Sequence, residues 1–179
     1  MPPLKASGEI TVEAPAEEVW EVLARQFSRI GDWATAVPAS WANPEAQVRT
    51  DAPEAGRVCK TGVPMIPRIE DTIVAYDDAA RTLTYEAAGM PTFVGTAQNS
   101  WQVTAVDERR ALARFDGVME TRGIVGRLLG LFLRVRLARE SRRLLDDLKH
   151  FVETGRPSPR KQRQLGRSEP EEMTTGRDA

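Results

Sequence analysis

The chain has few residues of the kinds that most often carry out chemistry. Its 179 residues include one cysteine, Cys59, and one histidine, His150. A single cysteine cannot form an internal disulfide, which is typical of a protein in a reducing compartment. The sequence also lacks the closely spaced His, Cys and Asp residues of a metal site and the glycine-rich loop of a phosphate site. We therefore expect no metal and no other cofactor, and no catalytic constellation is evident.

Long apolar runs are missing as well. No segment reaches the roughly 18 uncharged apolar residues of a transmembrane helix, because the strongest candidate, residues 124–137, contains Arg127, Arg134 and Arg136. Residues 1–8 lack the apolar core of a signal peptide, so we expect a cytoplasmic protein without one. The formal net charge of −1 gives no overall attraction to nucleic acid or anionic lipid. We therefore expect no nucleic-acid partner.

What the chain does contain is a series of alternating segments that predict β-strands. Residues 9–14 alternate polar and apolar side chains, the period of a half-buried strand. A short amphipathic helix is predicted to begin at Pro15, followed by a second helical turn over residues 26–30. Further strands are predicted at residues 47–50, 57–61, 69–76, 81–87, 93–106 and 110–121. The short turns between most of them favour an antiparallel sheet.

One long amphipathic helix is predicted after the last strand, over residues 124–152. At 1.5 Å per residue these 29 or so residues would extend roughly 44 Å. The apolar stripe of the helix recurs at helical spacing and comprises Leu133, Leu137, Leu144, Leu148 and Phe151. Residues after 154 have almost no apolar side chains. We therefore predict one ligand-binding domain over residues 1–154 and a disordered charged tail over residues 155–179.

The order of these elements, together with several short motifs, resembles a known superfamily. The motifs are Ile10-x-Val12-x-Ala14-Pro15-Ala16-Glu17-x-Val19-Trp20, Trp33, Glu70-x-x-Ile73-x-x-x-Asp77, Arg81-x-Leu83-x-Tyr85 and Trp101-x-Val103. Over about residues 8–153 the chain resembles the START/Bet v 1-like (SRPBCC) superfamily, specifically its polyketide cyclase/dehydrase and lipid-transport group. The resemblance implies an α+β helix-grip fold, in which a seven-stranded curved antiparallel sheet wraps around a long C-terminal helix, with two short helices near the N-terminus. It also implies a cavity for a hydrophobic molecule between sheet and helix.

Strand alternation indicates which side chains would face that cavity. The inward sets are Phe93, Gly95, Ala97, Asn99, Trp101, Val103 and Ala105 on one strand, Ala111, Ala113, Phe115, Gly117 and Met119 on the next, and Leu83, Tyr85 and Ala87 on a third. Many of these residues are small, which would leave a void or let the helix approach closely. The predicted ligand-binding residues are Tyr85, Asn99, Trp101, Phe115, Met119, Met65 and Met90.

Two apolar loops with prolines, residues 62–67 and 89–92, contribute Met65 and Met90 to this set. In the resembling hormone receptors, loops at these places act as gate and latch over the cavity. An apolar rim of this kind usually marks a ligand entrance, a membrane contact or a partner surface. A small separate core between the two loops is the alternative. Arg68, Glu70 and Arg114 are predicted to form surface cross-strand pairs, or to bind a polar head group if they face the cavity.

Three functions are compatible with this sequence. Binding or transport of a hydrophobic small molecule, such as a lipid or a polyketide-like compound, is favoured by the apolar lining and the few polar groups. A polyketide aromatase/cyclase acting in the same cavity is the alternative, and would use Tyr85, Asn99 and Arg114 as acids or orienting donors. In the third, the apolar helix start at residues 124–133 docks on a protein, or makes a weak membrane contact through flanking arginines.

Overall fold

Seven antiparallel strands form one continuous sheet. The computed structural model describes the backbone of residues 3–64, 66–121 and 123–168, and their side chains except those of 123–134 and 168. The strands are β1 (Leu4–Val12), β2 (Ser40–Ala42), β3 (Gly56–Val63), β4 (Ile66–Asp77), β5 (Thr82–Ala88), β6 (Val94–Asp107) and β7 (Arg110–Thr121). Their order across the sheet is β1-β7-β6-β5-β4-β3-β2. All neighbours except β1 and β7 are therefore consecutive in the chain, as short turns predict.

Four helices accompany the sheet. Short helix α1 (Ala16–Trp20) continues into a π-helical turn (Glu21–Arg25), and a 3-10 turn (Phe27–Arg29) leads into α2 (Ile30–Trp33). Helix α3 (Gly123–Thr154) packs against β1 and β7, and α4 (Pro159–Ser168) follows it. The predicted helix-grip architecture of sheet, short N-terminal helices and long C-terminal helix is confirmed.

The strand predicted at residues 47–50 is wrong. These residues have no sheet partner, and Val48 is 76% exposed. The edge strand is instead β2, where Ser40 pairs with Cys59 of β3. The hydroxyl of Ser40 fixes β2 beside the helical segment, because it donates to the carbonyl of Ser28 at 2.5 Å and accepts from the Gly31 amide at 2.7 Å. Alternation alone does not detect a three-residue strand held in this way.

The first strand begins earlier than predicted. Strand β1 starts at Leu4 rather than at residue 9, and Leu4 pairs with Met119 at the far end of β7. The same strand carries Gly8, where an added Cβ would lie 2.8 Å from Cδ1 of Leu145 on α3. A glycine at this point therefore allows α3 to approach the sheet closely.

The prediction of a disordered tail does not hold for residues 159–168, which form α4. The buried Nζ of Lys161 donates to the carbonyls of Val37 at 2.7 Å and Pro38 at 3.3 Å. Ahead of α4, the buried hydroxyl of Ser158 donates to Oδ1 of Asp147 at 2.6 Å. Polar anchors hold this segment in place of apolar surface, so a rule based on apolar content does not detect it. Residues 169–179 lie outside the described residues.

Candidate functional site

A pocket of about 180 Å³ lies between the sheet and α3. We call it the α3 pocket, and its described lining is Ala6, Ala36, Met90, Ala97, Asn99, Phe115, Gly117, Val118, Met119, Leu137, Glu140, Ser141 and Leu144. Most of the lining is apolar, and β1, β6, β7 and α3 all contribute to it. An apolar cavity of about 150 Å³ is large enough to bind benzene in a protein interior, so the α3 pocket has room for one aromatic ring.

The small residues of the sheet have two different effects along α3. At Gly8 the helix comes close, since there is no room for a Cβ beside Leu145. At Ala6, Ala97 and Gly117 the missing side-chain volume remains open as part of the α3 pocket. The sequence left open whether small residues would bring the helix close or leave a void. Both occur, at different points of the same helix.

Asn99 differs from the other polar side chains among the described lining residues of the pocket. It is half-buried on β6, and its Oδ1 lies 3.0 Å from the position that a Cβ on Gly117 would take. Within the described residues, the Asn99 side chain has no hydrogen-bond partner. By contrast, the Ser141 hydroxyl donates to the carbonyl of Leu137 at 2.9 Å, and the Glu140 carboxylate pairs with Arg143 at 3.3 Å. A half-buried carboxamide without a partner favours binding of an oxygen or N–H group.

The residues predicted to bind a ligand fall into three groups. Asn99, Phe115, Met119 and Met90 line the α3 pocket. Trp101 and Tyr85 are buried in the core and are not among its described lining residues; the Trp101 ring packs on Phe115 at 4.9 Å, and the Tyr85 ring packs on Phe27 at 5.2 Å. Met65 lies outside the described residues. Ligand contact therefore stays a prediction for the first group and loses its geometric support for Tyr85 and Trp101.

A buried ion pair behind Tyr85 was missed by sequence reasoning. Arg57 on β3 is 4% exposed and Asp71 on β4 is 5% exposed, and the Arg57 Nε donates to Asp71 Oδ2 at 2.8 Å. The Arg57 Nη1 donates to the carbonyl of Phe27 at 3.0 Å. The guanidinium also lies over two rings, 3.9 Å from the centre of Phe27 and 4.8 Å from that of Tyr85. The available signal was Asp71 itself, which shares one strand face with Ile69 and Ile73.

The titratable groups around this ion pair stay in their neutral forms at neutral pH. Burial raises the pKa of the Cys59 thiol to about 11 and the pKa of the Tyr85 phenol to about 12. Burial lowers the pKa of Arg57, but the combined attraction of Asp71, Tyr85 and Cys59 and the hydrogen bond to Asp71 outweigh it, so the pKa of Arg57 is raised. A reactive cysteine requires a lowered pKa. The geometry therefore favours a supporting role for this group behind the pocket.

The other charged candidates lie on the surface. The Arg68 guanidinium pairs with Glu70 at 3.0 Å, and that of Arg114 pairs with Asp116 at 2.8 Å, with all four side chains substantially exposed. None of them is among the described lining residues of the α3 pocket. Both pairs lie on the surface, but each joins two residues of one strand, Arg68 with Glu70 on β4 and Arg114 with Asp116 on β7, so the predicted cross-strand pairing is wrong.

The described residues contain neither a metal-ligand cluster nor a membrane-spanning helix. No three of their His, Cys, Asp and Glu side chains are grouped as a metal site requires. No helix that they form is long and apolar enough to cross a membrane.

Comparison with known proteins gives one family and one fold. A family model described as polyketide cyclase/dehydrase and lipid transport matches residues 3–153. The ZhuI aromatase/cyclase from Streptomyces sp. R1128 is 20% identical, with a TM-score of 0.66 over 83% of this chain and 93% of that chain. A START superfamily protein from Mycobacterium smegmatis is 16% identical, with a TM-score of 0.63 over 83% and 97%. No curated protein matches the chain. Structural likeness at such low identity shows the fold alone.

A third similar structure is larger than this chain. The di-domain aromatase/cyclase BexL from the BE-7585A biosynthetic pathway is 21% identical, with a TM-score of 0.62. The match covers 83% of this chain and 46% of BexL. The chain therefore corresponds in extent to about half of that protein.

Because Arg57 and Asp71 form a buried ion pair, substitutions of the two residues should have non-additive effects on the free energy of unfolding. Arg57→Met and Asp71→Leu should each lower the free energy of unfolding by about 3–5 kcal/mol, because each leaves one buried charge without its partner. The double variant should be more stable than the sum of the two losses implies. Chemical denaturation of the four proteins measures this.

The matched control substitutes the exposed pair, Arg68→Met and Glu70→Leu. These substitutions should change the free energy of unfolding little. Additive losses at Arg57 and Asp71 would contradict the assigned pairing.

Proposed function

The chain belongs to the polyketide cyclase/dehydrase and lipid transport family, and we propose that it binds a small hydrophobic molecule in the α3 pocket. The observation that carries the proposal is an apolar pocket whose described lining includes one carboxamide, Asn99, without a partner. Pockets that recognise small molecules usually combine apolar walls with a few placed polar groups. The α3 pocket has that composition.

The size of the pocket limits the ligand. Its volume of about 180 Å³ is below the roughly 300–1,000 Å³ typical of pockets for drug-sized molecules. One aromatic ring or a short acyl segment fits inside. A longer lipid or polyketide chain would extend beyond the described lining. We therefore favour a ligand that inserts a single ring or a chain end.

Asn99 gives the inserted group a preferred chemistry. A carboxamide both donates and accepts hydrogen bonds, so it can pair with a phenol hydroxyl, a carbonyl or an N–H group. The one carboxylate among the described lining residues, Glu140, pairs with Arg143. A neutral ligand with one polar atom therefore matches the pocket better than a charged one.

Catalysis as an aromatase/cyclase is the second candidate. Likeness to two aromatase/cyclase structures favours it at the level of the fold. A general acid or base must come within hydrogen-bond reach of the substrate. Among the described lining residues, Glu140 could take that role only by exchanging its pairing with Arg143, and Tyr85 stands behind the pocket wall. Binding without chemistry therefore has the stronger support.

Phenol and toluene test the proposal because they share a ring and differ in one polar atom. Both are expected to bind the wild-type protein. Asn99→Leu should lower the affinity for phenol about fivefold relative to the affinity for toluene, since one hydrogen bond contributes about 1 kcal/mol. Titrations followed by ligand-observed NMR give both affinities.

The matched control is Gln98→Leu, an exposed neighbour on the opposite face of β6, which should leave the phenol-to-toluene ratio unchanged. If neither ligand competes with the other in the wild-type protein, or if both Leu variants shift the ratio equally, the assignment of Asn99 is wrong.

Membrane contact is a further part of this proposal. Arg136, Arg139 and Arg142 are exposed on α3, and within the described residues they have no acidic partner. The same helix contributes Leu137 and Leu144 to the pocket. Exposed arginines beside a pocket for hydrophobic ligands suit an anionic lipid surface, to which each contributes about 1 kcal/mol. A ligand could then pass between the bilayer and the pocket without crossing much water.

Sedimentation with phosphatidylglycerol and phosphatidylcholine vesicles tests this contact. The protein should bind the anionic vesicles preferentially, and substitution of Arg136, Arg139 and Arg142 by Gln should weaken that binding on the order of a hundredfold at low salt. The control replaces Arg29, Arg49 and Arg109, which are exposed outside α3. Equal binding to both vesicle types, or equal loss in both triple variants, would exclude a site on α3.

A further inference from the structure

One wall of the α3 pocket is held on both sides by buried polar groups. The wall residue is Ala36, in the segment that follows α2. On one side, the amide of Thr35 donates to Oδ2 of Asp147 at 2.9 Å. On the other, the carbonyl of Val37 accepts from Nζ of Lys161 at 2.7 Å. The position of Ala36 is therefore set by residues from two C-terminal helices.

The anchor on α3 is Asp147, whose carboxylate accepts three hydrogen bonds. Asp147 is 1% exposed. Besides the Thr35 amide, its carboxylate accepts from the Ser158 hydroxyl at 2.6 Å and from Nη2 of Arg160 at 3.3 Å. A buried carboxylate is tolerated when its oxygens are hydrogen-bonded in this way. Two of these donors come from residues 158–160, so the anchor depends on the segment that begins α4.

The anchor on α4 is a lysine with no solvent exposure. Its three hydrogen bonds go to neutral oxygens, namely the carbonyls of Val37 and Pro38 and Oε1 of Gln164 at 3.1 Å. Loss of hydration lowers the pKa of Lys161, against the attraction of Asp32 and Asp147. Burying an ammonium group among neutral oxygens carries a desolvation penalty, which reduces the net stability that this attachment of α4 provides. Its geometric result is that two consecutive carbonyls beside Ala36 are fixed.

The same segment reaches the end of β3. Cγ of Pro38 lies 3.4 Å from the position of a Cβ on Gly62, a glycine with a φ of 61°. Movement of residues 35–38 would therefore alter both the pocket wall and the contact of Pro38 with the end of β3.

We propose that residues 158–161 belong to the binding site, as a clamp in which Lys161 and Asp147 hold residues 35–38 as one wall of the α3 pocket. The clamp sets how tightly the pocket closes on its ligand and how slowly the ligand leaves. This inference rests on the proposed binding function. It assigns the C-terminal segment, which ordinary composition arguments treat as a tail, to the control of ligand release.

The test uses the full chain, with toluene as the probe, and compares Lys161→Met and Ser158→Ala with the wild-type protein. Lys161→Met removes the donors to Val37 and Pro38, and Ser158→Ala removes one donor to Asp147. Arg163→Met, on the exposed side of α4, is the matched control. Two quantities are measured at a temperature where all four proteins are folded: the hydrogen-exchange rate of the Thr35 amide and the dissociation rate of toluene by NMR.

We expect Lys161→Met to accelerate both exchange at Thr35 and release of toluene by roughly fivefold or more, as loss of buried hydrogen bonds implies. Ser158→Ala should have a smaller effect in the same direction, and Arg163→Met should have none. A lower melting temperature with unchanged toluene affinity and release would mean that α4 only stabilises the fold, which overturns the proposal. If the wild-type protein binds no toluene, the binding function fails, and unchanged Thr35 exchange in Lys161→Met would then refute the clamp separately.

Discussion

The packing of one long helix across the inner face of the sheet is the constraint on which the rest of the structure depends. A helix curves only gently over several turns, whereas the sheet beneath it presents residues of different sizes. Where β1 offers Gly8, Leu145 fills the space, and the core is closed. Where the sheet offers Ala6, Ala97 and Gly117, α3 does not fill the gap, and the α3 pocket remains. The order of small residues along the strands thus determines where the described part of α3 packs closely and where it borders the pocket.

Buried polar groups outside the described lining of that pocket connect the elements of the fold. The ion pair of Arg57 and Asp71 joins β3 to β4 and supports the aromatic layer of Phe27 and Tyr85. Asp147 joins α3 to the segment after α2. Groups of this kind contribute more to a unique arrangement than to net stability, because desolvation offsets most of their attraction. They hold the walls in position while the pocket itself stays apolar.

The sequence predicted the fold well because its signals are local. Alternation identified five of the seven strands near their observed positions, and the apolar stripe identified α3. Strand alternation also brought Asn99, Phe115 and Met119 to the pocket. The failures are tertiary in origin. The Ser40 hydroxyl fixes β2, and Lys161 and Ser158 fix α4. Arg57 is buried because Asp71 lies opposite it on the neighbouring strand. Such pairings depend on residues far apart in the chain, which no single-segment pattern contains. Tyr85 and Trp101 were assigned to the correct face, but depth within the core decides which inward residues reach the pocket.

The most direct test of the account is a crystal structure of the protein soaked with 4-bromophenol, with data collected at the bromine absorption edge. The anomalous signal locates the ring without reference to the protein density. The account predicts one bromine site inside the α3 pocket, with the phenol oxygen within hydrogen-bond distance of the Asn99 carboxamide. Bromine sites confined to the protein surface, with the space between Ala97, Gly117 and Leu144 closed, would contradict it.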